Sequence, residues 1–283
     1  MTVLITGANG NISSALLGRL AGSGLEVRAM VRDAAKAPAI PGVEVVVGDL
    51  DDPGSLGAAF DGVDTLWLLT AMGPQAPHAS MNAVWAARAA GVRHIVRLSA
   101  IGAAHDAPTR NGRLHALSDA ELRASGIDWT IVRPAFFMQN LFGSVNGDAL
   151  YGALGDGRVG FIDVRDIADF ASAVLRDPHA HAGATYTITG PESISLHDAA
   201  DAAASVLETP VAYRQLGDDQ AYAAMLGFGL TEWVAAVSVE YGRAYASNWG
   251  DLTTPDFERV VGRPARDFAT FARDHASLLR AAA

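Results

Sequence analysis

Short apolar runs alternate with stretches of helical periodicity along the first half of the chain. The runs are Thr2–Thr6, Glu26–Val31, Val43–Val47, Thr65–Thr70, His94–Leu98 and Trp129–Val132. Residues at helical spacing lie between them: Ile12, Leu16 and Leu20 in one stretch, and Met81, Val84, Trp85 and Arg88 in another. Strands that are apolar on both faces and separated by helices predict a parallel sheet covered on both sides. Six such repeats predict a doubly wound α/β fold.

The alternation ends after Pro134, where the chain becomes rich in Phe, Gly and Asn. We expect residues 1–134 to form the doubly wound domain. Residues 135–283 then form a pocket-lining connection and a smaller, mostly helical substrate lobe, with segments between about 161 and 190 returning to the Rossmann core. Within this part, Ala184–Thr189 is predicted as a strand and Leu196–Leu207 as a helix.

The first turn carries a glycine motif, Thr6-Gly7-Ala8-Asn9-Gly10-Asn11-Ile12-Ser13, between a buried strand and an amphipathic helix. Gly7 allows a tight turn, and Gly10 lets backbone amides approach a pyrophosphate. The helix N-terminus that follows favours an anion. Ser13 stands where a third glycine is usual, and we expect it to be tolerated there. The alternative is an ordinary strand–turn–helix whose glycines serve geometry alone.

The end of the second strand bears on which dinucleotide binds. Arg32 stands at the strand tip with Lys36 close by, and a guanidinium suits the 2′-phosphate of NADP(H). Asp33 could instead bind the ribose 2′-hydroxyl of NAD(H), which stays open as the less favoured cofactor. The alternative to a cofactor role for either residue is an ion pair between Arg32 and Asp33 at the surface. After the third strand, Asp49 is a candidate for the adenine amino group, with a helix cap as its alternative.

Composition narrows the classes of function. Half of the 283 residues are hydrophobic and the net charge is −10, which argues against nucleic acid and anionic lipid as partners. The chain has no cysteine and no His-Glu-x-x-His, so no metal site is predicted. No apolar run approaches the length of a membrane span, and we expect a cytoplasmic protein.

Taken together, TGANGNIS, VRD, GDL, LSAIGA and WTIVRPAFFMQN resemble the NmrA-like group of atypical short-chain dehydrogenases/reductases, from residue 1 to about Asp169. The resemblance implies a Rossmann domain that binds NADP(H). It also implies either an NADPH-dependent quinone reductase or an NADP-sensing regulator without catalysis. The cofactor-binding residues expected here are Gly7, Asn9, Gly10, Asn11, Ile12, Arg32, Asp49, Leu50, Thr70 and Ala71, and we add Met72 from its place after the fourth strand.

The wider superfamily uses a serine and a Tyr-x-x-x-Lys pair for proton transfer. Ser99 occupies the serine's place, but the chain contains no Tyr-x-x-x-Lys. His115 is a candidate proton donor on the following helix, where Asp119 could orient it or raise its pKa. A structural histidine is the alternative, and Tyr151 is a weaker candidate acid.

Aromatic and apolar residues beyond the sixth strand predict the surface that binds substrate. They are Phe136, Phe137, Met138, Phe142, Phe228 and Trp233, with Asn140 as a polar anchor among them. Packing between lobes is the alternative for about half of them.

The leading interpretation is an NADPH-dependent oxidoreductase that transfers hydride to a small apolar quinone, enone or imine, because such acceptors need little proton help. A redox-sensing regulator without catalysis stays open, as does a non-redox isomerase or dehydratase on the same fold. The oligomeric state is not fixed by the sequence, and a homodimer is left open.

Overall fold

The computed structural model describes residues 1–280 of the chain. The strands are β1 (Thr2–Ile5), β2 (Glu26–Val31), β3 (Val43–Val47), β4 (Thr65–Leu68), β5 (His94–Leu98), β6 (Asp128–Pro134), β7 (Val145–Asn146), β8 (Ala149–Gly152), β9 (Ala184–Ile188) and β10 (Ala212–Gln215). The helices are α1 (Asn11–Leu20), α2 (Leu56–Phe60), α3 (Ala76–Ala89), α4 (Arg110–Ala124), α5 (Val164–Arg176), α6 (Leu196–Leu207), α7 (Asp218–Gly227), α8 (Glu232–Ala246), α9 (Asp256–Val261), α10 (Phe268–Asp274) and α11 (Ala276–Leu279).

The main sheet has seven strands in the order β3-β2-β1-β4-β5-β6-β9. Each neighbouring pair from β3 to β6 is parallel. The strand order reverses between β1 and β4, and such a reversal is the point at which doubly wound sheets bind ligands. The predicted doubly wound α/β Rossmann fold is confirmed.

The chain forms two compact units. The first comprises residues 1–105, 112–133 and 164–187, and it contains most of the seven-stranded sheet. Its core includes Leu4, Leu66 and Ile95, which are fully buried. Helices α1 and α5 pack against each other, and Ile12, Leu16 and Leu20 form the buried face of α1 as their spacing predicts.

The second unit comprises residues 106–111, 134–163 and the chain from 188 onward. It contains a small sheet in the order β10-β8-β7, with β10 and β8 parallel and β7 and β8 antiparallel. Its core is aromatic: Phe161, Phe268 and Phe271 are fully buried or nearly so, and Tyr245 packs edge-on against Phe136. The predicted helix Leu196–Leu207 is α6, with a capping box at Ser195.

The structure corrects one periodic face. Val84 is buried as its spacing predicts, but Met81 and Trp85 do not face the core, because Met81 is 44% exposed and Trp85 is 63% exposed. Helix α3 instead buries Ala83, Ala86 and Ala87 among other small residues, which lets it lie close to its neighbours. The edge strand β3 also departs from the expected covering of both faces, since Val47 is 54% exposed.

No helix within residues 1–280 is both long enough and apolar enough to cross a bilayer.

Candidate active site

The turn between β1 and α1 is shaped for an anionic ligand. Gly7 has a φ of 63°, which L side chains rarely adopt, and a Cβ there would lie 3.0 Å from the Leu69 Cδ2 atom. Gly10 caps α1 without a side chain, and the first turn contains no acidic residue. The N–H groups at a helix start lack intrahelical partners, so they can bind a phosphate. These residues fit the diphosphate of a dinucleotide.

Ser13, at the position of the missing third glycine, locks the turn by two hydrogen bonds. Its Oγ donates to the Thr6 carbonyl at 2.8 Å and accepts from the Trp67 Nε1 at 3.1 Å. Thr6 in turn bonds to both the amide and the carbonyl of Leu69, which follows β4. Ser13 is therefore more than tolerated: it ties α1 to β1 and β4 at the point where the chain would meet the cofactor.

Replacing Ser13 with glycine is expected to destabilise the protein by about 1–3 kcal/mol, because the buried Trp67 N–H loses its acceptor. Urea unfolding monitored by circular dichroism measures the change. Ser14→Gly is the matched control, since Ser14 is exposed on the same helix and its replacement costs only helix propensity, about 0.5 kcal/mol. Equal losses for the two variants would show that the Ser13 hydrogen bonds contribute nothing.

Arg32 follows β2 and is exposed. Within residues 1–280 no acid or carbonyl pairs with its guanidinium. The alternative Arg32–Asp33 pair does not form, because the Asp33 carboxylate accepts a hydrogen bond from the Ala35 N–H and caps a short 3₁₀ turn. A cation with no protein partner at the carboxyl end of β2 is available to a ligand phosphate.

The other predicted cofactor residues follow β3 and β4, whose carboxyl ends lie at the same edge of the parallel sheet. Asp49 accepts from the Asp51 N–H, while Asp52 caps the next 3₁₀ turn, so Asp49 is not the helix cap of the alternative interpretation. The Leu50 carbonyl accepts from Asn82 of α3. Thr70, Ala71 and Met72 lie in the loop after β4, Met72 being 43% exposed.

A buried network of charged residues lies at the carboxyl ends of β5 and β6. The Asp119 carboxylate of α4 accepts from Arg97 Nε at 3.1 Å, from Arg133 Nη2 at 2.8 Å and from Ser99 Oγ at 3.0 Å. Arg97 and Asp119 are almost fully buried, and Arg97 also donates to Ser80 of α3 at 3.0 Å. Burial lowers the pKa of Arg97, and the Asp119 charge opposes that shift.

Ser99, the first predicted catalytic residue, belongs to this network. Its hydroxyl hydrogen is donated to Asp119, and the residue is only 4% exposed. In this arrangement Ser99 offers a ligand its oxygen lone pairs and not its hydrogen.

His115 is half-buried one helical turn before Asp119. Burial, together with the Arg97 charge, lowers the pKa of its imidazole to about 3. The Asp119 charge raises the pKa of His115, as expected, but burial and the Arg97 charge outweigh it, so the net shift is downward. The Nδ1 atom lies 3.4 Å from Arg97 Nη2, so it accepts and the ring's hydrogen lies on Nε2. His115 is therefore a neutral group near pH 7.

These shifts predict acid lability. The folded chain leaves His115 neutral down to about pH 3, whereas the unfolded imidazole titrates near 6.5. The unfolded chain therefore binds more protons between these values, and stability is lost as the pH falls from about 6.5. Burial lowers the pKa of His94 to about 4, which acts in the same direction.

His115→Gln is expected to make the loss of unfolding free energy between pH 6 and pH 4 shallower by about 1 kcal/mol per pH unit. Urea unfolding at a series of pH values measures the slope. Identical slopes in the two proteins would contradict the burial of a neutral imidazole.

The remaining predicted site residues lie in the second unit. Tyr151, on β8, is 42% exposed. Met138 is fully buried in the aromatic core, Phe136 and Phe142 pack against that core, and Phe142 stacks on Phe271. Phe137 and Trp233 are half-buried, Asn140 is exposed, and Phe228 is 65% exposed in the turn between α7 and α8.

Sequence reasoning singles out neither Arg97 nor Arg133. A charged residue inside an otherwise apolar buried strand, as in His94–Leu98, demands a partner and is the signal that points to Arg97. Its partner on α4 cannot be identified by spacing. No cluster of three or more potential metal ligands occurs in the described part of the chain.

Comparison with known proteins places these features in a family. Residues 7–178 match the NAD(P)H-binding family. An NAD(P)H azoreductase from Xenophilus azovorans is 37% identical, over 99% of this chain and 100% of that protein. A (4-alkanoyl-5-oxo-2,5-dihydrofuran-3-yl)methyl phosphate reductase from Streptomyces griseus is 34% identical, over 97% of this chain and 98% of that protein. The structure of an NADPH-dependent quinone oxidoreductase from Escherichia coli in complex with NADPH has a TM-score of 0.85 at 24% identity, covering 96% of this chain and 99% of that one, and supports the fold.

Proposed function

We propose that this chain is an NADPH-dependent reductase of small conjugated acceptors. The premise is that it belongs to the NAD(P)H-binding family and to its NmrA-like group of atypical short-chain dehydrogenases/reductases. Family membership makes it an NAD(P)H-dependent oxidoreductase with a nicotinamide cofactor and a small-molecule substrate. The proposal adds the phosphorylated cofactor and an apolar acceptor class: quinone, enone, imine or arylazo compound.

The match to the azoreductase along its whole length carries the proposal. The second relative, whose name describes an unsaturated lactone reduced by its enzyme, supports the same acceptor class, since both acceptors have a conjugated double bond that takes hydride. Bound NADPH supplies a hydride when an acceptor is present. The chain's part is to hold the nucleotide at the Gly7–Ser13 turn and at Arg32, and to orient the acceptor.

Orientation supplies most of the catalysis in this proposal. Ser99 has given its hydrogen to Asp119, and His115 is a neutral and therefore weak acid. Neither is a strong proton donor, so acceptors that stabilise the added electrons fit best. Met138, Phe136 and Phe142 belong to the aromatic core or pack against it, so we propose that the acceptor contacts the more accessible residues Phe137, Phe228 and Trp233, with Asn140 and Tyr151 as polar contacts.

The test is hydride transfer itself. Purified protein is mixed anaerobically with NADPH deuterated at C4 and with a quinone, an enone, an imine or an arylazo dye, and nicotinamide absorbance is followed. The proposal expects loss of absorbance with at least one acceptor. With the enone or the imine, where hydride adds to carbon, it also expects deuterium in the product, whereas an N–D or O–D bond formed from the other two acceptors exchanges with water. NADPH binding without turnover of any acceptor would favour a regulator. Turnover of a substrate without NADPH oxidation would favour an isomerase or dehydratase.

We further propose that the protein works in the cytoplasm on diffusible substrates, without nucleic acid or membrane as a partner. Its acidity, with a net charge of −10, supports this proposal. Fractionation of the producing cells tests the location, and a pellet-bound protein would contradict it.

A further inference from the structure

The buried network contains two guanidinium groups on one carboxylate, and their charges do not balance. Asp119 accepts from Arg97 Nε at 3.1 Å and from Arg133 Nη2 at 2.8 Å. A second acid, Glu121, acts electrostatically on Arg97, which is almost fully buried. Arg133 shares Asp119 with Arg97 and has no other acidic partner within residues 1–280. Part of the Arg133 charge is therefore left to attract a further anion.

Arg133 also keeps hydrogen-bond donors that a ligand can reach. Its Nε and Nη2 donate to the Asp119 Oδ2 atom at 3.3 and 2.8 Å, whereas its Nη1 has no partner among the described residues. In that part of the chain, the side-chain polar atoms that are both unpartnered and sealed from solvent belong to Ser23, His94, Glu121 and His275. The Arg133 Nη1 is not one of them, and the side chain is 19% exposed. Asp119 thus holds the guanidinium, and the two N–H groups of Nη1 are available to a ligand.

The place of Arg133 in the sheet is the edge at which this fold binds ligands. Arg133 is the next-to-last residue of β6, and the Ser99 N–H at the end of β5 donates to the Val132 carbonyl at 2.7 Å. The Ser99 Oγ and the Arg133 Nη2 donate to the same Asp119 oxygen. Because β1, β4, β5 and β6 are parallel, these strand ends lie at the edge that carries the Gly7–Ser13 turn. All of these residues belong to the first unit.

The strand order indicates which half of a dinucleotide lies on the Arg133 side. Arg32, at the end of β2, lies on one side of the reversal between β1 and β4, and β5 and β6 lie on the other. A dinucleotide lies across such a reversal, with its diphosphate at the turn after β1. With the 2′-phosphate of its adenosine at Arg32, the nicotinamide half extends toward β4, β5 and β6. An acceptor of its hydride then lies on the same side of the reversal as Arg133.

We propose that Arg133 is a catalytic residue of this reductase, with Asp119 as its positioning residue. Its Nη1 binds the acceptor oxygen on which negative charge develops during hydride transfer. The inference rests on the proposed function. With an enone, the hydride forms a C–H bond at the carbon β to the carbonyl, and the C=C π electrons shift so that the negative charge comes to rest on the carbonyl oxygen. The cofactor is oxidised to NADP⁺, and water gives the enolate its proton.

This role supplies what the neighbouring residues lack. Ser99 has donated its hydrogen to Asp119, and His115 is neutral, so neither neutralises the new charge by a rapid proton transfer. A charged donor that is fixed before the reaction stabilises developing charge without having to reorganise. The hydrogen bonds to Asp119 fix the Arg133 guanidinium in this way.

Arg133→Gln is the test, with two acceptors. The glutamine amide can still donate to Asp119, but it carries no charge. An enone gains negative charge when hydride adds, whereas a cationic triphenylmethane dye only loses its positive charge. We expect kcat for the enone to fall about 100-fold, as for removal of one donor from an oxyanion hole, and kcat for the cationic dye to stay within about twofold. Arg88→Gln is the matched control: Arg88 is exposed near the end of α3, at the amino edge of the sheet, and its loss should change neither rate.

A binding measurement tests the same charge without turnover. 4-Nitrophenol is titrated with base in the presence of protein saturated with NADP⁺, and the absorbance of the phenolate is followed. A cation beside the phenol oxygen favours the phenolate. The pKa of the bound phenol should therefore be about 1 lower in the wild-type protein than in Arg133→Gln. The same pKa in both proteins would overturn the role of Arg133.

Arg133→Lys is the second variant, for the case that Arg133→Gln does not fold. The lysine keeps the charge but has one nitrogen, which Asp119 engages, so we expect kcat for the enone alone to fall about 10-fold. In either variant, an equal fall with both acceptors, or no fall with either, would overturn the role of Arg133 and leave the proposed reductase intact. If no acceptor oxidises NADPH with the wild-type protein, the proposed function fails, and the role of Arg133 fails with it.

Discussion

Arg32→Ala is expected to raise the Kd for NADPH by about 10- to 100-fold and to leave the Kd for NADH within about twofold. The reason is that the guanidinium is exposed and unpaired within the described residues, so its charge is free for the 2′-phosphate, which NADH lacks. Titration calorimetry with each nucleotide measures both constants.

Arg93→Ala is the control for a simple change of net charge. Arg93 precedes β5 and so lies at the amino end of the parallel strands, whereas Arg32 lies at their carboxyl end. Arg93 pairs with Asp64. Its replacement should leave both constants unchanged. If Arg32→Ala weakened NADPH and NADH equally, the assignment of the 2′-phosphate to Arg32 would be wrong.

Asp119→Asn is expected to have the largest effect on stability, about 3–5 kcal/mol. Neutralising this carboxylate leaves the guanidinium of Arg97, which is 1% exposed, without its ion-pair partner, and it weakens the bond to Arg133. Breaking a buried ion pair costs far more free energy than breaking an exposed one, because the remaining charge stays buried without a partner. Urea unfolding measures the difference in free energy.

Asp218→Asn is the matched control, because Asp218 pairs with Arg243 while both side chains are more than half exposed. Its loss should cost less than about 1 kcal/mol. A similarly small loss for Asp119→Asn would show that the buried network does not hold β5, β6 and α4 together.

Local pattern predicts much of the first unit. The bounds of β2, β3, β5 and α6 agree with the predicted segments, because each is a continuous apolar run or a well-capped amphipathic stretch. The glycine turn is also predicted, since Gly7 and Gly10 follow a buried strand and precede a helix. What local pattern misses is that Met81 and Trp85 point outward, because Val84 and small residues cover the inner face of α3.

The polar part of the candidate site depends on long-range contacts. Arg97, Asp119 and Arg133 come from β5, α4 and β6, and no spacing rule relates them. The positions of the cofactor-binding residues can be predicted from the ends of the strands. The buried and charged neighbours that set the pKa of a side chain depend on tertiary packing. For that reason the sequence predicts the wrong direction for the net pKa shift of His115.

The central claim is that the turn after β1 binds a nicotinamide dinucleotide through its backbone N–H groups. Calorimetry of the purified protein with NADPH, NADP⁺, NADH and NAD⁺ tests it most directly. The account predicts saturable binding of one nucleotide per chain, tighter for the phosphorylated pair. Absence of binding heat with all four, confirmed by an unchanged melting temperature in their presence, would contradict it.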